Sequence, residues 1–86
     1  MTIDFHKSFH KQASNLKPGQ KQRLKGALLL FADDPYHPSL HNHPLTGEWK
    51  GFRSISFGGD WRIHYKVIND NTVLFVAVGT HSQLYA

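Results

Sequence analysis

The chain has 86 residues, a formal net charge of +4 and no cysteine, and its isoelectric point lies near 9.6. That length allows one domain over residues 1–86, and a domain of this size buries only roughly 60 to 65% of its unfolded surface. Disulfides and thiolate metal sites are excluded, and nothing argues for an oxidising compartment. The longest apolar run, residues 27–32, falls far short of the roughly 20 residues of a membrane span, and no signal-peptide pattern follows Met1. A cytoplasmic protein is expected, with no membrane association and with a polyanionic or acidic partner to match its charge.

Ile3 and Phe5 alternate with polar neighbours, which predicts a short strand over residues 2–5. Phe9, Ala13 and Leu16 then recur at helical spacing and predict a helix over 6–16, closed by Pro18-Gly19. Leu24, Ala27, Leu28 and Phe31 repeat at intervals of three and four, predicting a second amphipathic helix over 20–32 that Asp33-Asp34-Pro35 terminates. The two helices should form a hairpin across one face of a sheet. Lysines 7, 11, 17, 21 and 25 with Arg23 make this half basic, a pattern that a solvated helix face accounts for.

Pro35, Pro38 and Pro44 predict an irregular loop over 36–47. Three strands follow, at 49–57, 61–68 and 72–78, joined by Gly58-Gly59 and by Asn69-Asp70-Asn71, which is turn chemistry for an antiparallel meander. The middle strand places Trp61, Ile63, Tyr65 and Val67 on one face and Arg62, His64, Lys66 and Ile68 on the other. One face suits a core and the other suits anions. The last strand is apolar from Val73 to Val78, as expected of a strand covered on both sides or central in its sheet.

Three runs in the second half carry chemistry: HPLTGEWKGFR (43–53), GDWRIHY (59–65) and VGTHSQLY (78–85). Cleaving RNA by attack of the 2′-hydroxyl needs a base, an acid for the leaving oxygen, and cations for the phosphoryl oxygens. His43 and His81 suit proton transfer near neutrality. Asp60 can serve as the base, orient a histidine, or merely cap its turn. Arg62 and Arg53 are planar phosphate donors and Lys50 a looser charge. Tyr85 and Phe52 can stack on unpaired bases, and Trp61 either joins them or fills the core. A second cluster, His37, His41 and His43 in the proline loop with His6 and His10 on the first helix, has spacings that bind zinc elsewhere. With no cysteine beside it and a flexible loop beneath it, we expect no metal there, and no cofactor.

These same runs resemble the YafQ branch of the RelE/ParE toxin superfamily, the toxins of bacterial type II toxin-antitoxin pairs, and the resemblance extends over essentially the whole chain. It implies an α+β, RelE-like fold: an N-terminal helix hairpin packed on a small twisted antiparallel sheet, in the order β-α-α-β-β-β, with a short C-terminal segment. It also implies a ribosome-dependent mRNA endoribonuclease that uses no metal and cuts in the ribosomal A site. The implied partners are an acidic antitoxin and, through that antitoxin alone, operator DNA. Under it, His43, Asp60 and His81 match the acid-base residues, His81 being the proton donor. Tyr85 matches a C-terminal aromatic and Arg62 a phosphate-binding arginine. Val78 and Ser56 stand where the resemblance leads one to expect an arginine and a histidine, and they motivate the alternative of a catalytically weak member that serves as an antitoxin- and DNA-complex binding module.

Overall fold

The structure, a computed structural model, describes residues 1–85. Its elements are β1 (Thr2–Phe5), α1 (Lys7–Ser14), α2 (Pro18–Asp33), β2 (His43–Pro44), β3 (Arg53–Ser56), β4 (Trp61–Asn69), β5 (Thr72–Thr80) and α3 (His81–Leu84). Single 3-10 turns occupy Pro38–Leu40 and Gly47–Trp49. The helix hairpin, the sheet and the short C-terminal helix are the expected α+β arrangement.

α1 starts where His6, extended at ψ 152, turns its ring back to accept the Ser8 N–H, a side-chain cap of the kind that satisfies a helix's first donors. Pro18 opens α2 from its first turn, where a missing N–H costs nothing. Leu24, Ala27 and Phe31 form the buried stripe of α2. Phe31 stands edge-on to Tyr65 at 4.9 Å and to Phe75 at 5.1 Å, while Tyr65 stacks on Phe75 at 5.3 Å. These three rings anchor a core completed by Phe9, Leu40, Ile55, Ile63 and Val78. The Tyr65 hydroxyl, buried with its ring, accepts from Asn42 Nδ2 at 2.7 Å, which ties the proline loop to the sheet.

The sheet has five strands in the order β1-β5-β4-β3-β2 and is mixed rather than wholly antiparallel. β1 lies parallel to β5, Thr2 opposite Thr72 and Phe5 opposite Phe75. The helix hairpin between β1 and the meander provides the long connection that parallel neighbours require. The loop is also more structured than its prolines suggest, because His43 and Pro44 pair with Ser54 and Arg53. The first meander strand begins at Arg53 rather than at residue 49. Gly47 (φ 66) and Gly51 (φ 94) bracket a tight turn in the left-handed region and hold Trp49 outside the strand. β5 is paired on both sides, as its sequence implies. Val67, expected on the core face, is 51% exposed because β4 outruns the helices that cover its first half.

β1 ends at Phe5, so the rest of β5 on that side needs other partners. The His6 N–H donates to Phe75 O at 2.8 Å, the Ser8 hydroxyl to Val76 O at 2.6 Å, and Gln12 Oε1 accepts from the Val78 N–H at 2.9 Å. Residues 8 and 12, one helical turn apart, thereby complete the edge. A Gln12→Ala variant should lose about 1–3 kcal/mol of unfolding free energy in denaturant titration, because the Val78 N–H is left without an acceptor. Gln12→Glu keeps the acceptor and should lose less.

Candidate active site

The strand register sorts the second half of the chain into two faces. Residues opposite one another in neighbouring strands point to the same side. One row across the sheet is His43, Ser54, His64 and Ala77, and the next is Ser56, Arg62 and Gly79. Both rows lie on the face away from α2. On the other face Ile55, Ile63 and Val78 are in register beneath the helices. The polar face of β4 is therefore assembled from Arg62 and His64 as its alternation predicts.

Over this face folds α3. Thr80 caps it in a reciprocal box: the Gln83 N–H donates to Thr80 Oγ1 at 3.2 Å and the Thr80 N–H to Gln83 Oε1 at 2.9 Å. The His81 N–H donates to Asp60 O at 3.0 Å, which joins the GDW turn to the GTH turn. The Trp49 indole N–H donates to Leu84 O at 3.1 Å and holds the far end of the helix. Five rings then run across the face in contact: Phe52 to Trp49 at 5.3 Å, Trp49 to His64 at 4.4 Å, His64 to Tyr85 at 5.5 Å and Tyr85 to His81 at 4.5 Å.

His43, exposed on β2, donates its Nδ1 hydrogen to His41 O at 2.8 Å, since a carbonyl can only accept. In the neutral ring Nε2 is then the basic nitrogen. Arg62 directs Nη1 at Ser56 Oγ (3.2 Å), Gly59 O (2.8 Å) and Trp61 O (2.9 Å), which fixes its guanidinium while Nε and Nη2 make no hydrogen bond among the described residues. Asp60 is exposed in its turn beside His81, Lys50 is exposed next to Trp49, and Tyr85 is 43% exposed.

Two of the expected substrate contacts are not brought to this face. Arg53 is in register with Tyr65 and so points to the helix side. There its Nε donates to Asn42 Oδ1 at 2.9 Å and its guanidinium lies 5.5 Å from the Tyr36 ring centre. Trp61 also faces the helix side, packing on Phe57 and lining a cavity of about 440 Å³ with Gln12, Leu16 and Gln20. Val78 is 3% exposed in the core, so an arginine at that position would not face the site. Ser56 does face it, through its bond to Arg62. His37 gives its Nδ1 to the Ser39 N–H as a cap, and among the described residues no three histidines or acids converge as metal ligands.

Sequence reasoning missed Trp49 as a cover for the site and, above all, the burial of His64, which it placed on the polar side of β4 with Arg62 and Lys66. His64 is fully buried, and among the described residues neither ring nitrogen has a hydrogen-bond partner. Each unsatisfied buried group costs about 1–3 kcal/mol. Burial first, and then the charges of His43, His81 and Arg62, lower its pKa from 6.5 to about 4.

With the folded value of about 4 below the unfolded 6.5, the unfolded chain takes up this proton first. Above pH 6.5 neither state is protonated there and the group contributes nothing. As pH falls through this window the native state should lose up to roughly 3 kcal/mol. Denaturant titrations of the parent and of His64→Leu should therefore diverge between pH 6.5 and 4, the variant declining less.

A family model described as "Bacterial toxin of type II toxin-antitoxin system, YafQ" matches residues 1–86. The mRNA interferase toxin YafQ of Escherichia coli K12 is 41% identical over 65 residues, covering 73% of this chain and 70% of the relative. The crystal structure of YafQ from E. coli BL21(DE3) superposes with a TM-score of 0.78 at 27% identity, over 98% of this chain and 97% of that one. The E. coli DinJ-YafQ toxin-antitoxin complex gives a TM-score of 0.71 at 28% identity, over 98% of this chain and 96% of that one. A match along the entire chain, over a fold whose sheet presents two histidines and an arginine on one face, establishes that the protein belongs to the YafQ family of type II toxin-antitoxin toxins.

Proposed function

We propose that this protein is the toxin of such a pair and acts as an mRNA endoribonuclease by acid-base cleavage on the face that carries His43, Arg62 and His81. The observation that carries the reading is that the strand register sets His43 and Arg62 on one face of the sheet while α3 folds His81 over that face, bonded to the Asp60 turn and in ring contact with Tyr85 above His64. His43 Nε2 takes the 2′-hydroxyl proton, its availability set by the Nδ1 bond to His41 O. The 2′-oxygen attacks phosphorus, a 2′,3′-cyclic phosphate forms, and the bond to the 5′-oxygen breaks as His81 donates a proton to it. Arg62, with Lys50 as a looser charge, binds the phosphoryl oxygens.

The alternative base, Asp60, lies beside His81, its carbonyl bonded to the His81 N–H. In-line displacement needs base and acid on opposite sides of the phosphorus, which favours His43. Tyr85 stacks on an unpaired base. The E. coli relatives named as mRNA interferase toxins support the activity, and the DinJ-YafQ complex supports a cognate antitoxin, which the net charge of +4 suits if that partner is acidic. Cleavage in the ribosomal A site, contact with operator DNA only through the antitoxin, and action in the cytoplasm belong to the same proposal. Among the described residues no helix is long and apolar enough to cross a membrane.

Expression without antitoxin should arrest growth, and the purified protein should cut mRNA on translating ribosomes but not naked RNA. His81→Gln and His43→Gln should each lower the cleavage rate by about 100-fold or more with an unchanged circular dichroism spectrum. If cells expressing the parent chain grow normally and ribosome-bound mRNA stays intact, the protein is a binding module for its antitoxin instead.

A further inference from the structure

His64 has no part in the acid-base scheme, yet its placement is hard to account for by packing. It occupies the middle of β4 between Ser54 and Ala77, under the rings of Trp49 and Tyr85. An aliphatic side chain would fill that slot without burying two nitrogens that have no partner among the described residues. Trp49 offers no help, since its N–H is committed to Leu84 O.

The surroundings point to a particular ligand. His43 and Arg62 share the sheet face with His64, and His81 reaches it through the Tyr85 ring. Lys66, two residues along the same face, lies 5.7 Å from the Phe52 ring centre. A buried donor on a face that also carries Arg62 and Lys66 is suited to an anionic oxygen. Its cover is also lightly held. Tyr85 is 43% exposed, meets His64 and His81 through ring contacts, and bonds through its backbone N–H to His81 O at 3.1 Å.

We propose that His64 is a third substrate-contacting histidine: once the Tyr85 ring moves aside onto an unpaired base, the His64 N–H donates to a non-bridging oxygen of the scissile phosphodiester. The inference rests on the nuclease reading above and assigns a contact that the reading lacks. His64 meets the phosphate as a neutral donor, so it adds hydrogen-bonding geometry where Arg62 supplies charge. The Tyr85 ring shields that donor until a nucleotide takes its place.

The test pairs cleavage with a readout that does not depend on it. In the complete chain, His64→Leu should unfold at a denaturant concentration equal to or above that of the parent, and should cut ribosome-bound mRNA about a hundredfold more slowly. Phosphorothioate substitution at the scissile linkage should slow the parent for one diastereomer and leave His64→Leu indifferent to which is used. Independently, the His64 ring ¹⁵N resonances of the parent should shift when it binds an RNA with a 2′-O-methyl group at the cleavage position. A variant that cuts at the parental rate with the parental sulfur effect overturns the role of His64 and leaves the nuclease reading standing. If that RNA shifts the ring resonances of His43 and His81 but not those of His64, the role of His64 is overturned whether or not the variant folds. A parent that cuts no RNA while its His64 resonances still respond defeats the nuclease reading and supports the contact.

Discussion

The arrangement of the site depends on the register between β4 and β5. From Trp61 opposite Thr80 to His64 opposite Ala77 the pairing is regular, and then Tyr65 falls opposite Phe75. Val76 is the extra residue, a β-bulge. It lets Phe75 and Val73 join Tyr65 in the core while Ala77 and Gly79, further along the same strand, remain on the face of His64 and Arg62. A slip of one residue would exchange the faces, burying Arg62 under α2 and exposing Ile63. The buried ring trio of Phe31, Tyr65 and Phe75 guards against that slip, because it forms only in this register.

The same bulge explains which parts of the fold were legible in the sequence. The period of β4 is clean, so Arg62, His64 and Lys66 could be assigned to one face before any coordinates. β5 reads as apolar throughout because its period is interrupted at Val76 and because Ala77 and Gly79 lie beneath α3, where small apolar residues are needed. The helices were legible in type and nearly in extent, since Leu24, Ala27 and Phe31 mark the buried stripe. β2 was not, because two residues leave no periodicity to detect. Its pairing depends on partners in β3 about ten positions away.

The candidate residues divide along the same line. Trp61 shares its face with Ile63 and Tyr65, so the alternation of β4 had already assigned it to the core side. Arg53 follows from the pairing of β3 with β4, which the sequence does not specify. Its guanidinium serves Asn42 and Tyr36, and through Asn42 the Tyr65 hydroxyl, so it holds the proline loop that carries His43. That contribution to the site is positional. His64 was visible as a residue on the polar face, but its burial was not, because its cover comes from Trp49 and Tyr85, which lie 15 and 21 positions away in the chain.

The close approach of α3 is settled by Gly79. A Cβ there would meet Gln83 Oε1 at 2.9 Å, Gln83 Cβ at 3.4 Å and Leu84 Cδ2 at 3.5 Å. Gln83 cannot swing away freely, because Oε1 accepts the Thr80 N–H that closes the capping box. Any side chain at position 79 would therefore lift the helix and draw three contacts out of place together. These are the His81 N–H on Asp60 O, Leu84 O on the Trp49 indole, and Tyr85 over His64. The glycine of the GTH run is thus a requirement of packing with a consequence for the site: it sets how near His81 stands to the Asp60 turn that precedes Arg62, and how tightly the buried imidazole is closed from water.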